Sequence, residues 1–346
     1  MLLEEIFDKA IEKKASDVHL NAEQKVVFRI NGVLSFQKDW PIVKPGEVEQ
    51  IAEKVLTDYL KEQLKEKKEV DFSYQTKSGR RFRVNFYQEK GNLALSARFI
   101  WPKIPTLEDI DAQPVIYDLL KSKQGLILVT GPAGCGKSTT LAASIDWLNK
   151  HYAYHIITLE DPIEFLFKSE KSLISQRELG RDFISFGQAL RHVVRQDPNV
   201  IMVGEMRDLE TISLAVTLAE TGHLILATLH TPNAMQTIDR IVDVFPSAQQ
   251  TQIRLQLSLS LKAVISQWLV PRIDGGRVAA REIMVNNSAI ATMIRENKIS
   301  NIINVIQTGS KFGMQTMDQD LENLYKHKKI SLETAKAFAR YPEAIG

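Results

Sequence analysis

Gly131-Pro132-Ala133-Gly134-Cys135-Gly136-Lys137-Ser138 fits the pattern G-x-x-x-x-G-K-[ST] at every fixed position. An apolar run, Leu126 to Val129, precedes it and a segment of helical periodicity opens at Lys137, so the spacing predicts a strand, a tight glycine loop and a helix in that order. That arrangement suits phosphate. Glycines let successive N–H groups converge on phosphate oxygens, and the helix N-terminus adds positive potential. Lys137 is placed to reach the β- and γ-phosphates, and the Ser138 hydroxyl to ligand Mg²⁺. The expected cofactors are ATP and Mg²⁺. The expected nucleotide-binding set is Gly131, Pro132, Ala133, Gly134, Cys135, Gly136, Lys137, Ser138 and Thr139. Cys135 reads as a small residue filling the turn.

Outward from the loop, strand-sized apolar runs alternate with helical patterns: strand 126–130, helix 137–149, strand 155–160, helix 186–196, strand 200–204, helix 208–221, strand 223–229. Such alternation predicts an α/β domain, 112–346, built on a mainly parallel sheet covered by helices. From about 286 the pattern is helical and reads as a small bundle. In open α/β sheets ligands sit beyond the carboxyl ends of the strands, which directs attention to the residues there. Ile156–Leu159 ends in Glu160-Asp161-Pro162-Ile163-Glu164, and Val200–Val203 ends in Gly204-Glu205-Met206-Arg207-Asp208. Gly204 stands where an aspartate would hold Mg²⁺, so Glu205 serves metal or water unaided or shares the work with Glu160. Leu224–Leu229 is bracketed by His223 and His230. His230, at the same strand-end position as the two glutamates, is the better placed to touch a γ-phosphate. No H-E-x-x-H spacing occurs, which argues against a zinc site.

Residues 1–100 read as a small α+β domain. Leu2, Leu3, Ile6, Phe7, Ala10 and Ile11 recur at helical spacing, and Val26–Ile30, Asn31-Gly32 and Val33–Phe36 give a hairpin signal. Residues 47–68 follow as one amphipathic helix. Three alternating strands close the domain: 70–74, 81–87 and 93–99. In the second, Phe82, Val84 and Phe86 share a face opposite Arg81, Arg83 and Asn85; in the third, Leu95, Ala97 and Phe99 oppose Ser96 and Arg98. Three arginines are therefore expected on the polar side of one sheet. Trp101-Pro102-Lys103-Ile104-Pro105-Thr106 interrupts both periodicities and marks a linker, 101–111.

Composition narrows the function classes. Formal net charge is +2 over 346 residues, with 18 basic and 16 acidic groups in the first hundred, so no polycationic stripe points to DNA or RNA as a partner. One cysteine permits no intrachain disulfide and suits a cytoplasmic protein. No apolar run approaches the ~18 residues of a membrane span, and acids at the start argue against a signal peptide, so no direct membrane insertion is expected.

The block from Gly131 to Pro246 resembles the ATPases of type II secretion and type IV pili: GPAGCGKSTT, the acidic box ITLEDPIEF, the Walker B segment VIMVGEMRDLET and the histidine box TGHLILATLHTPNAMQTIDRIVDVFP. The likeness extends to ASDVHL, RFRVNFY, GRVAAREIMVNNSAIATMIRENKI and GMQTMDQDL, nearly the whole chain. Assembly members usually carry an N-terminal extension and a four-cysteine zinc insertion, which favours the pilus retraction type here. The resemblance implies a homohexameric motor in which a PAS-like N-terminal domain packs over the RecA-like domain of a neighbour. It further implies a platform protein at the inner membrane as partner, and a peripheral place on that membrane's cytoplasmic face. It assigns Lys137 and Ser138 the P-loop roles, Glu160 the catalytic carboxylate, Glu205 the Walker B carboxylate and His230 the γ-phosphate sensor. Arg81, Arg83 and Arg98 match arginines that approach nucleotide. Departures are Ala133 and Cys135 for hydroxyl residues, Gln196 for an acid, and Ala291 for an arginine.

Overall fold

The computed structural model describes residues 3–30, 32–100 and 103–346. Expectations falling on Leu2, Asn31, Trp101 and Pro102 lie outside the described residues. The chain forms two compact units. The first holds the residues up to Lys103 together with Glu160–Leu166 and Arg177–Ser185; the second holds Ile104–Leu159, Phe167–Gln176 and Phe186–Gly346.

In the first unit the order is α1 (Leu3–Glu12), β1 (Ala15–Leu20), β2 (Val27–Ile30), β3 (Val33–Phe36), α2 (Glu47–Val55), α3 (Asp58–Lys67), β4 (Glu69–Gln75), β5 (Arg81–Glu89) and β6 (Asn92–Ile100). The strands form one sheet in the order β3-β2-β1-β6-β5-β4, antiparallel at every step. Alternation selects its buried face: Phe82, Val84 and Phe86 from β5 meet Leu95, Ala97 and Phe99 from β6 in one core. The apolar stripe of α1, Leu3, Ile6, Phe7 and Ala10, is buried against it, and the Phe7 ring stacks on Phe82 with centroids 3.8 Å apart. Burying each such large side chain is worth roughly 1.5–3 kcal/mol. The single helix expected over 47–68 is two, because Thr57 leaves the helical conformation and its hydroxyl accepts from the Leu60 N–H, starting α3 afresh.

The second unit contains α4 (Pro114–Leu120), β7 (Gly125–Thr130), α5 (Lys137–His151), β8 (His155–Glu160), β9 (Leu173–Glu178), α6 (Phe186–Val193), β10 (Val200–Val203), α7 (Leu209–Glu220) and β11 (Leu224–Leu229), except that Glu160 at the end of β8 and Arg177–Glu178 at the end of β9 belong to the first. It continues with α8 (Ala234–Asp243), α9 (Ser247–Ser260), β12 (Leu261–Pro271), β13 (Arg277–Val285), α10 (Ser288–Arg295), α11 (Ile302–Thr308), α12 (Met317–Lys326) and α13 (Leu332–Phe338). Its sheet runs β13-β12-β7-β11-β10-β8-β9, with β12, β7, β11, β10 and β8 parallel and β13 antiparallel on β12. The central strands β7, β10 and β11 are buried at every residue, as strands covered by helices on both faces must be. The sequence reading does not extend to β9, β12 or β13. No helix among the described residues is long and apolar enough to cross a membrane.

Candidate nucleotide site

β7 delivers the chain into a loop of three positive-φ glycines: Gly131 at 139°, Gly134 at 77° and Gly136, which precedes α5, at 89°. At Gly131 a side chain is impossible, since its Cβ would lie 2.3 Å from the Gln267 carbonyl oxygen of β12. Parallel register then brings three strand ends together: Leu229 of β11 pairs with Thr130 of β7, and Val203 of β10 with Ala227 of β11. The side chains beyond those ends converge for that reason.

Lys137, the first residue of α5, is buried and its Nζ donates to the carbonyls of Gly131 (2.8 Å) and Pro132 (3.0 Å). The same Nζ lies 3.4 Å from His230 Nδ1, while His230 Nε2 lies 3.2 Å from Glu205 Oε1. An ammonium can only donate, so Nδ1 accepts and the ring proton sits on Nε2, directed at the glutamate. Arg207 Nη2 donates to the other Glu205 oxygen at 2.8 Å. Burial pushes the Glu205 carboxyl up, but the Arg207 hydrogen bond and charge, with His230, outweigh it and hold the group below the usual carboxylate range. Lys137, His230, Glu205 and Arg207 thus form one polar chain. Cys135 is buried and its thiol is pushed up by that burial, which keeps it the neutral filler of a turn. His223 is spent locally, its Nδ1 donating to the Leu218 carbonyl.

One participant has no signal in the loop motif. Gln267 of β12 is buried; its Nε2 donates to the Cys135 carbonyl at 2.8 Å, and its Oε1 accepts from Thr140 Oγ1 of α5 at 2.9 Å. Beside it, the hydroxyls of Ser266 and Thr130 bond across β12 and β7 at 2.8 Å. A polar pair inside the apolar run Val264-Ile265-Ser266-Gln267-Trp268-Leu269-Val270 is the clue that could have found it.

Side-chain oxygen donors suited to Mg²⁺ are present in Ser138 at the start of α5 and Glu205 beyond β10, whereas Gly204 has no side-chain oxygen. Among the described residues no three His, Cys, Asp or Glu side chains cluster as a metal cage. Mg²⁺ usually takes one or two protein oxygens and completes its shell with phosphate and water, so this donor set fits it.

The remaining expected residues belong to the first unit. Arg83 and Arg98 are direct cross-strand partners on β5 and β6. Arg98 is exposed, with Nε 2.8 Å from Asp17 Oδ1 of β1; Arg83 is half-exposed between Asp71 at 3.7 Å and Glu164 at 3.8 Å. Arg81 differs. It is buried, and its Nη2 meets the Ser73 hydroxyl and, at 3.4 Å, the Glu178 carboxylate. Burial lowers the affinity of its guanidinium for the proton, against the pull of Glu178 and Glu160. Glu178 is a hub that the sequence reading missed: it also accepts from the Ser73 and Ile163 N–H groups. Glu160 closes β8, and its carbonyl accepts from the Leu179 N–H.

The chain matches the Type II/IV secretion system protein family over residues 1–337. It is 44% identical, over 99% of its own length and 99% of the relative's, to a protein described as the type IV pilus retraction ATPase PilT of Pseudomonas aeruginosa. A twitching motility protein of Neisseria gonorrhoeae is 47% identical over 88% of this chain and 82% of that one. Among solved structures, a crystal structure of the pilus retraction motor PilT with bound ADP superposes with a TM-score of 0.90 at 45% identity, covering 99% of this chain and 98% of the other.

Proposed function

The chain belongs to the type II/IV secretion system protein family, and from that premise we propose that it is a motor ATPase that uses Mg-ATP hydrolysis to retract type IV pili, the activity behind twitching motility. The observation that carries this reading is the glycine loop whose lysine, Lys137, is joined through His230 to Glu205. The bound ADP of the similar retraction motor supports ATP as the nucleotide. In this reading residues 112–346, which include most of the second unit and the segments 160–166 and 177–185 of the first, form a RecA-like domain whose last helices span about 286–346, and residues 1–100 form a PAS-like domain. The working form is a homohexamer that meets an inner-membrane platform protein from the cytoplasmic side.

Each residue then has a task. The N–H groups of 131 and 133–139 hold phosphate, and Lys137 transfers its hydrogen bonds from the loop carbonyls to the β- and γ-oxygens. Ser138 and Glu205 would hold Mg²⁺, which would neutralise phosphate charge when bound. Glu160 takes a proton from the attacking water, or shares that work with Glu205. His230, its Nε2–H directed at Glu205, follows the γ-phosphate. Arg83 and Arg98, whose planar forks suit phosphate oxygens, are offered to nucleotide. Arg81 has Nη2 committed to Ser73 and Glu178 and acts as a brace. Steady-state phosphate release tests the assignment: Lys137→Ala should lose it at least a hundredfold, and wild-type turnover in that variant would end the proposal.

A further inference from the structure

The strand β12 carries no residue of the loop motif, yet one of its side chains bonds to the loop and to the helix after it. Gln267 follows directly on the Ser266–Thr130 pair in the β12–β7 register, so it stands beside the point where β7 gives way to Gly131. Its backbone carbonyl fills the space where a Gly131 side chain would go. Its amide then spans two elements, donating to the Cys135 carbonyl and accepting from the Thr140 hydroxyl, one turn into α5.

A peptide unit is planar and trans, so its C=O and N–H point in opposite directions. Fixing the Cys135 carbonyl on Gln267 therefore turns the N–H of Gly136 away from β12, toward the concave side of the loop. That is the side on which a P-loop binds phosphate. Gly136, at φ 89° and with no side chain, has little intrinsic preference that would hold this orientation by itself. The Gln267 amide makes both contacts while 1% exposed, so water does not compete for either bond.

We propose that Gln267 is a positioning residue for nucleotide binding: by clamping the Cys135 carbonyl and the Thr140 hydroxyl it presets the Gly136 N–H for phosphate, so its loss weakens nucleotide affinity more than the chemical step. The inference rests on the reading of 131–139 as a phosphate loop. Gln267→Leu removes both bonds at similar volume. Gln267→Glu keeps the acceptor for Thr140 but sets a carboxylate oxygen against the Cys135 carbonyl.

ADP affinity by calorimetry, the KM and kcat for ATP, and the melting curve of the full-length protein without nucleotide test it together. Both variants should raise the ADP Kd and the KM for ATP about tenfold, the effect of losing roughly one hydrogen bond, with kcat at saturation changed less than threefold. Thr140→Val should act in the same direction, and Thr140→Ser, which keeps the hydroxyl, should restore wild-type affinity. These two carry the test if either Gln267 variant fails to fold. An ADP Kd within twofold of wild type in a folded Gln267→Leu or Thr140→Val protein overturns the proposal, as does a fall confined to kcat. Wild-type protein that binds no ADP would instead break the phosphate-loop reading, which separates the two failures.

Discussion

The two sheets of the molecule use polar residues in different places. In the seven-stranded sheet, β7, β10 and β11 are buried throughout, so charged groups gather just beyond the strand ends, where Lys137, Glu205 and His230 meet. In the six-stranded sheet, alternate residues face away from the core, and charge stands along the strands as Arg81, Arg83 and Arg98. A parallel sheet concentrates chemistry at one edge, while an antiparallel one spreads it over a face. Charge on a face is not equivalent from one position to the next. Arg98 is 74% exposed at its side chain, whereas Arg81, two residues from Arg83 on the same strand, is 9% exposed and paired with Glu178.

The largest effect that would sharpen the contrast is at the strand ends. Glu205→Ala should depress turnover by two orders of magnitude or more while leaving ADP affinity within a few-fold, since a carboxylate acting on metal or water works chiefly in the transition state. Equal loss of binding and turnover would show that the carboxylate merely holds the loop together. On the sheet face, Glu178→Ala should lower unfolding stability by about 3 kcal/mol in urea, because it removes the ion-pair partner of the buried Arg81. Arg98→Ala should cost less stability than Glu178→Ala, because the buried Asp17 keeps the Ser16 hydroxyl and Arg29 at 3.7 Å, yet reduce turnover about tenfold if it serves nucleotide. Reversed stabilities would break the distinction between brace and offered arginine.

The smallest effect concerns acid. Glu205 has a folded-state pKa below its ordinary value, so it contributes stability that is full above the ordinary carboxylate range and is lost as pH falls through the depressed value. Urea midpoints of wild type and Glu205→Gln should therefore differ at pH 7 and converge as the pH is lowered toward 3. A difference that persists unchanged at low pH would count against an ionised Glu205.

The succession of strand, glycine loop and helix was legible because each signal is local. Leu126–Val129 is apolar, Gly131 and Gly136 break it, and a helical period begins at Lys137, all within one short window. The strand-end positions of Glu160, Glu205 and His230 followed from the same rule. Glu178 was not legible. Written Gln176-Arg177-Glu178-Leu179, it looks like any solvated strand acid, and only its approach to Ser73 and Arg81, about a hundred residues earlier, makes it a buried hub. For the same reason the alternation in β5 expected Arg81 on an open polar face: periodicity reports which side a residue takes, and a segment from elsewhere in the chain covers that side. Gln267 belongs to this class too, because hydrogen bonds to Cys135 and Thr140 leave no trace in the sequence around it beyond an amide set among apolar neighbours.

The composition of the first unit also bears on how the gene can be cut. Its three chain segments are separated by parts of the second unit, so the polypeptide passes from one to the other at five peptide bonds: 103–104, 159–160, 166–167, 176–177 and 185–186. Excision at the proline-rich junction therefore does not yield two self-sufficient products. A shortened protein beginning at Ile104 keeps Glu178 but has lost Ser73 and Arg81, and its segments 160–166 and 177–185 carry polar groups whose partners went with the discarded piece. Recombination that exchanges N-terminal halves among relatives must accordingly match residues on both sides of that junction, which makes the acceptable breakpoints fewer than a simple bead-on-a-string layout would allow.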